Sequence, residues 1–318
     1  MGEIFAEGGE GLSYRFALLM SRLICMLPWT ICLWLADLLA SIIWWFVPSR
    51  RKKLSRDNIM RCLHVDQQNA ERISKSAALQ YGQVLMEVLR FPLLRSTMKD
   101  HVEVEGLHYL TDYMQSSERQ GKGAVIATCH SDNWELMGGA FAQYGISLVG
   151  VAKKQKSGGM NRFINEYRTL IGMHITYKTG VREMFQMLAE GWFIGLIMDQ
   201  DTNRHDGVVV KFFDEPTNFM PGAASMSRFR GVPIFPAFMH RTEDRRHKLI
   251  VYPPIYVEKT KDKRGDLQRT TQTLATMIEQ HIRAYPEQWF WLHDRWKSMR
   301  EEFEPEEVEQ LRKGLLRP

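Results

Sequence analysis

The sequence predicts an α/β fold in which a layered mixed sheet is flanked by helices and preceded by an N-terminal helix that anchors the chain to a membrane. Three observations support this prediction. Short apolar runs alternate with helical patterns from residue 102 onward. Residues 23–47 are apolar apart from one charge, Asp37. The 318 residues are 25% charged and 11% aromatic, which excludes both a polytopic membrane protein and a disordered chain.

The apolar stretch at residues 23–47 reads LICMLPWTICLWLADLLASIIWWFV. At ~1.5 Å per residue it is long enough to cross a hydrocarbon layer of ~30 Å. A basic run follows it, and acidic residues precede it. The basic residues are Arg50, Arg51, Lys52, Lys53 and Arg56, and the acidic ones are Glu3, Glu7 and Glu10.

By the positive-inside rule, this charge asymmetry predicts that the rest of the chain lies on the cytoplasmic side. The same stretch is also compatible with a buried helix of a soluble fold. A third interpretation is an interfacial helix whose basic run lies on anionic headgroups. We expect residues 1–56 to form this anchor and its basic collar.

The remaining elements follow from periodicity and from Gly and Pro signals. Residues 57–98 predict two helices. Strands are expected at residues 124–129, 146–152, 192–198, 208–213 and 232–238. Helices are expected at 134–144, 161–171, 181–190, after Pro221 and at 266–284. No repeat or linker divides this region, so residues 57–300 are expected to form one catalytic domain. Residues 301–318, with six acids between positions 301 and 309, predict a charged surface helix or tail.

Composition excludes several classes of site. The four cysteines lack CxxC spacing, which argues against a zinc site and favours a reducing compartment. A net charge of +5 over the whole chain is too weak to predict a nucleic-acid partner. There is no G-x-S-x-G, P-loop, G-x-G-x-x-G or H-E-x-x-H, and the Asp199-x-Asp201-x-Asn203 run lacks the Gly and Glu of a calcium loop. We expect neither a metal nor a cofactor.

The segment AVIATCHSDNWELMGG, residues 124–139, carries the most specific chemical signal. A short strand delivers His130 into a turn, and Asp132 with Glu135 has the spacing of a capping box that starts the next helix. With His130 in the turn and Glu135 in the first helical turn, imidazole and carboxylate can meet, and the imidazole can then act as a base. Alternatively, Glu135 only caps the helix and His130 is an ordinary turn histidine. Cys129 is expected to point to the opposite face of the strand and to pack in the core.

HSDNWELMGG, together with the anchor, resembles the H-x4-D/E motif of the bacterial lipid A late acyltransferases. NRFINEYR, MDQD, GVPIFPAF and PEQWFWLHDRWK follow in the order found in that family, so the resemblance covers nearly the whole chain. The chain departs from the family at Ser131 and Asp132, where Phe-Gly is frequent, and at Lys153 and Lys154, where an arginine is usual. The same superfamily includes mannoside and glycerolipid acyltransferases.

The resemblance implies a glycerolipid-acyltransferase-like fold and acyl transfer from acyl carrier protein to a hydroxyl of a lipid A precursor at the bacterial inner membrane. His130 would be the general base and Glu135 would orient it. Backbone N–H groups at the helix start would stabilise the oxyanion, with Arg168 nearby. Asp199 and Gln200 would shape the pocket or hold Arg168, unless they form only a structural turn.

The remaining substrate-binding residues that the resemblance implies are Asn133, Lys153 and Lys154. The two lysines would meet acceptor phosphates or the acidic carrier protein, unless they lie in a solvated loop. Two other functions stay open from the sequence. One is an acyltransferase that uses acyl-CoA and a lysophospholipid or glycolipid. The other is a non-catalytic, membrane-anchored lipid-binding homologue.

Overall fold

The structure of the chain, a computed structural model, describes residues 2–177 and 179–315, of which residues 2–10 and 315 are described without their side chains. The helices are α1 (Gly2–Met26), α2 (Trp29–Phe46), α3 (Ser49–Leu63), α4 (Gln67–Leu89), α5 (Phe91–His101), α6 (Leu107–Gln115), α7 (Trp134–Ala142), α8 (Gly158–Leu170), α9 (Val181–Ala189), α10 (Gly222–Arg230), α11 (Lys263–Ala284), α12 (Lys297–Glu301) and α13 (Pro305–Leu315). The strands are β1 (Val102–Glu105), β2 (Val125–Thr128), β3 (Leu148–Ala152), β4 (His174–Tyr177), β5 (Phe193–Ile197), β6 (Val208–Phe212), β7 (Glu215–Phe219), β8 (Ile234–Arg241) and β9 (His247–Val251).

Among the residues just defined, seven strands form one sheet in the order β1-β9-β8-β2-β5-β3-β4, and β6 and β7 form a separate antiparallel hairpin. Only the β8–β9 pair within the large sheet is antiparallel. Along β2, Val125 and Ala127 pack into one hydrophobic core and Ile126 into another on the opposite face. Helices therefore cover both faces, as is typical of parallel strands. The predicted α/β fold with a mixed sheet flanked by helices is confirmed.

The sheet places the end of β2 beside the end of β5. These two strands are parallel, and Thr128 lies opposite Ile197. Their carboxyl ends therefore meet at the same edge, and the residues two positions further along each strand become neighbours. Those residues are His130 and Asp199.

The N-terminal stretch does not form the single 25-residue helix that its composition predicts. α1 ends at Met26 and α2 begins at Trp29, because Pro28 lacks an N–H and cannot continue α1. Arg90 binds the free end of α1 by donating to the carbonyl oxygens of Ile24 (2.9 Å) and Leu27 (2.7 Å). By length and composition alone, α2 is the one helix among the described residues that could cross a membrane. The predicted acidic leader, Glu3, Glu7 and Glu10, has side chains outside the described residues.

One face of α2 packs on α4. Gly82 makes this approach possible, since a Cβ there would lie 2.6 Å from the carbonyl oxygen of Ala36 and 2.8 Å from the Cβ of Ala40. The charge within α2 lies on the same face: Asp37 accepts a hydrogen bond from Gln83 (3.1 Å). The opposite face of α2 is exposed and apolar. The helix is therefore joined to the rest of the fold through α4.

Residues Pro305–Leu315 form a surface helix, α13. α13 packs on the hairpin of β6 and β7, where Arg312 pairs with Glu215 (2.8 Å), and Glu307 pairs with Arg204 (2.6 Å). The proposed boundary after residue 56 falls inside α3, so that division of the chain stays a prediction.

Candidate active site

His130 is fixed by the carboxylate of Asp199. The Asp199 Oδ2 atom accepts the backbone N–H of His130 (3.0 Å), and Oδ1 lies 2.8 Å from the His130 Nδ1 atom. Trp289 Nε1 donates the third hydrogen bond of this carboxylate, to Oδ2 (2.6 Å). Burial alone would raise the pKa of Asp199, but the imidazole and the three donors lower it to about 2. The carboxylate therefore stays ionised and holds the proton of His130 on Nδ1.

The second ring nitrogen of His130 is left as a hydrogen-bond acceptor. The Gln200 amide nitrogen lies 3.4 Å from Nε2, and an amide N–H there donates to a nitrogen lone pair. The ring of Trp134 lies edge-on to the imidazole, with 4.9 Å between centroids. The geometry thus presents Nε2 as the atom able to accept a proton.

The predicted hydrogen bond between His130 and Glu135 is not formed, and Arg168 forms no hydrogen bond or ion pair with Asp199 or Gln200. Glu135 instead forms a two-pronged ion pair with Arg168, at 2.8 Å from Nε and 2.5 Å from Nη2. Both partners are largely buried. The pairing differs because β5 lies next to β2 in the sheet. Asp199, two residues after β5, therefore lies beside His130, two residues after β2. Asp199 therefore binds His130, the partner predicted for Glu135. Glu135 binds Arg168, the partner predicted for Asp199.

The start of α7 is capped by Asn133 and not by Asp132. The Asn133 Oδ1 atom accepts the backbone N–H groups of Glu135 (3.1 Å) and Leu136 (3.2 Å). These two N–H groups are therefore occupied and do not serve as the predicted oxyanion donors. Asn133 is fully buried, and its amide donates to Glu87 (2.8 Å), so its side chain is held in the interior and its role in substrate binding stays a prediction.

A buried cluster of four charged side chains lies under the loop that carries His130. Arg241 donates to Glu87 (2.6 and 3.0 Å) and lies 3.1 Å from Asp132. The ring of His247 lies between the same carboxylates, with Nδ1 2.5 Å from Asp132 and Nε2 3.1 Å from Glu87. Since both ring nitrogens face carboxylate oxygens, His247 is an imidazolium. This charge-balanced cluster, together with Asn133, holds the turn between β2 and α7.

The charge of His247 makes stability depend on pH. Burial alone would lower its pKa, but Asp132 and Glu87 raise it to about 9. A folded-state pKa above the unfolded value of ~6.5 stabilises the fold fully below pH ~6.5, and this contribution is lost as the pH rises towards 9. We expect wild-type protein in neutral detergent to lose on the order of 3 kcal/mol of unfolding free energy across that range. Denaturant unfolding at a series of pH values would measure it.

The control for this measurement is His247→Gln, which carries no titrating group at that position. Its unfolding free energy should be lower at pH 6 and nearly flat between pH 6.5 and 9. Parallel pH curves for the two proteins would contradict the assignment.

A small cavity lies next to Glu135 and Arg168, between the sheet and α7. Its volume is about 60 Å³, and its wall includes Gly138 and Gly150. A Cβ at Gly138 would lie within 2.1 Å of the Met173 sulfur, and one at Gly150 would lie 2.8 Å from the Met173 Cε. Met173 therefore fills space that the two glycines leave open.

Several contributors to the site were missed by the sequence analysis. Trp289 was noted only within a family signature, and Glu87, Arg241 and His247 carried no motif at all. Lys153 and Lys154 are exposed just after β3, at the same edge of the sheet as His130 and Asp199. Their binding roles stay predictions.

Comparison with known proteins places these residues in context. A family model described as bacterial lipid A biosynthesis acyltransferase matches residues 12–298. The chain is 29% identical over 251 residues to a phosphatidylinositol mannoside acyltransferase of Mycobacterium tuberculosis (strain ATCC 25618 / H37Rv), covering 76% of each protein. It is 28% identical over 228 residues to the protein of that name in Mycolicibacterium smegmatis, covering 70% of this chain and 71% of the relative. It is 22% identical over 255 residues to the lipid A biosynthesis palmitoleoyltransferase of Escherichia coli (strain K12), covering 78% and 79%.

Proposed function

Because this chain belongs to the bacterial lipid A biosynthesis acyltransferase family, we propose that it transfers a fatty acyl chain from a thioester donor to a hydroxyl of a membrane glycolipid. The observation that carries the proposal is His130, whose Nδ1 is held by Asp199 and whose Nε2 is a hydrogen-bond acceptor, at the carboxyl edge of the sheet. Ligand sites of α/β sheets occur at this edge.

In the proposed reaction, Nε2 of His130 takes the proton of the acceptor hydroxyl while its oxygen attacks the thioester carbonyl. A tetrahedral intermediate forms and then breaks its carbon–sulfur bond. The leaving thiolate takes the proton from the imidazolium, so the products are an ester and a thiol. Asp199 is the positioning residue that stabilises the imidazolium, as in a hydrolase triad.

In this proposal, Arg168 and Glu135 act on the thioester carbonyl and not on the proton of the hydroxyl. Their ion pair borders the cavity, and Arg168 supplies a cation near the reacting carbonyl while Glu135 fixes its direction. A guanidinium held by two parallel hydrogen bonds has little freedom to turn, which favours a preorganised charge.

We infer that acyl carrier protein is the donor and a lipid A precursor the acceptor, at the cytoplasmic side of an inner membrane. The description of the matching family supports this acceptor. The alternative is an acyl-CoA donor with another glycolipid or a lysophospholipid, and the relatives named for phosphatidylinositol mannoside favour a glycolipid.

The proposal is tested with the full chain purified in neutral detergent. Labelled acyl–acyl carrier protein and acyl-CoA are each supplied with a lipid A precursor and with a phosphatidylinositol mannoside, and ester products are identified by mass spectrometry. We expect transfer from the carrier protein to the lipid A precursor. Transfer only to the mannoside, or only from acyl-CoA, would support the alternative, and no transfer with any pair would refute the proposal.

The cavity predicts which residue limits acyl-chain length. A cavity of about 60 Å³ holds only a small part of an acyl chain, so a longer chain enters only when the flexible Met173 side chain moves. We expect Met173→Ala to favour longer donors, raising the ratio of kcat/KM for a donor two carbons longer by about tenfold. Competition between donors of different length measures this ratio.

Met184→Ala is the matched control, because Met184 is equally buried but lies in the core on the other face of the sheet. It should lose stability without changing the preference for chain length. An unchanged preference in Met173→Ala would show that the chain does not enter this cavity.

A further inference from the structure

A basic cleft lies where α2 ends and α3 meets α4. Its volume is about 740 Å³, and its charged lining consists of Arg50, Lys52, Lys53, Arg56, Lys75 and one acid, Glu71. The cleft belongs to neither the active site nor the cavity beside Glu135. Cations from two different helices therefore converge on one open space.

Most of this positive charge is not neutralised by the protein. Arg56 pairs with Glu71 (3.2 Å) and with Asp57 (3.4 Å). The other four cations of the cleft have no ion pair among the described residues. Lys52 lies 5.0 Å from the centre of the Trp44 ring, which holds its ammonium at the wall of the cleft. Like charges gathered around one space raise the local concentration of anions.

The surface next to the basic cleft indicates the source of those anions. The last turns of α2 expose Ile43, Trp45 and Phe46, which are 59%, 84% and 82% accessible. The cleft lies beside this end of α2, since its lining includes Trp44 and Ser49. An apolar helix face followed at once by lysines and arginines is the pattern of a segment that lies at the boundary between acyl chains and headgroups.

We propose that the basic cleft binds the phosphate groups of anionic membrane lipids while the exposed end of α2 lies among their acyl chains. Five cations and one acid provide the charge for a phosphate, and the adjoining aromatic side chains favour a lipid over a soluble phosphate or an acidic protein. This goes beyond the proposed reaction, because it concerns binding without turnover.

The experiment compares sedimentation of the full chain with vesicles of phosphatidylcholine alone and of phosphatidylcholine with phosphatidylglycerol. The variant combines Arg50→Gln, Lys52→Gln, Lys53→Gln and Lys75→Gln. Each lysine or arginine near an anionic surface contributes about fivefold in affinity. We therefore expect the variant to lose at least about tenfold in affinity for the anionic vesicles, with little change for the neutral ones, and the difference should shrink with added salt.

A matched control changes the same number of charges elsewhere. Lys259, Lys261, Lys263 and Arg264 are exposed and lie before and at the start of α11. With all four changed to Gln, affinity for anionic vesicles should stay within about twofold of wild type. Melting curves check that both variants are folded.

Three results would overturn the proposal. Equal losses in the two variants would assign the effect to net charge, and a wild type without preference for anionic vesicles would leave no phosphate site. If the cleft variant binds vesicles as wild type does but binds acyl carrier protein more weakly, the carrier protein is the occupant of the cleft. Acyl transfer in neutral detergent is measured separately, so failure here leaves the proposed reaction standing.

Discussion

His130→Ala is expected to reduce acyl transfer by ~10³-fold or more while leaving the fold intact. General-base catalysis contributes ~10²–10⁴-fold, and the variant has no replacement for Nε2. The fold should survive because Asp199 keeps two of its three donors, the backbone N–H of residue 130 and the Trp289 indole. The measurement is kcat with saturating donor and acceptor, together with a melting curve.

His205→Ala serves as the control for this substitution. His205 is exposed in the segment between β5 and β6, away from the contacts of His130. It should leave kcat within about twofold of wild type. Turnover near the wild-type rate in His130→Ala would exclude this histidine as the base.

Asp199→Asn is expected to lower kcat by ~10²–10⁴-fold with little change in KM. The substitution keeps the shape but places an amide N–H beside Nδ1, which favours the ring with its proton on Nε2. That tautomer cannot accept the proton of the hydroxyl. Because the pKa of Asp199 is about 2, its stabilising charge is lost only as the pH falls from about 4 towards 2. Titration of this carboxylate should therefore not change the wild-type rate near neutral pH.

Glu135→Gln is the comparison that separates the two carboxylates. Glu135 contacts Arg168 and not the imidazole, so its loss should cost about tenfold, an order of magnitude or more below the effect of Asp199→Asn. Steady-state kinetics of the two variants under one set of conditions measures the difference. If Glu135→Gln were the more damaging change, the pairing of His130 with Glu135 would have to be restored.

Part of the site was predictable because its residues follow strands. His130 lies two residues after β2 and was singled out from its place at the end of a predicted strand, whereas Asp199, two residues after β5, was named through the family resemblance. Their pairing was not predictable, since it depends on strand order: β2 and β5 are neighbours in the sheet although β3 and β4 lie between them in the chain. A local pattern such as H-x4-E favours the partner that is near in sequence.

The buried cluster under the loop shows the same limit more strongly. Glu87, Asp132 and His247 come from α4, a turn and β9, far apart in the chain. A lone buried charge has no sequence pattern, and only the fold brings its partners within reach. In contrast, the break in the apolar stretch could have been predicted, because Pro28 stands within it.

The contact between α2 and α4 at Gly82 determines what is lost when the N-terminal helices are removed. The residue before Gly82, Tyr81, packs on Trp134 beside His130, and Glu87, further along α4, holds Asn133. α4 therefore packs on the apolar helix α2 along one side and on the loop that carries His130 along the other. A chain trimmed to begin at Ser49 would uncover the side of α4 that α2 protects. Such trimming is therefore expected to disturb the packing of α4 on the loop that carries His130.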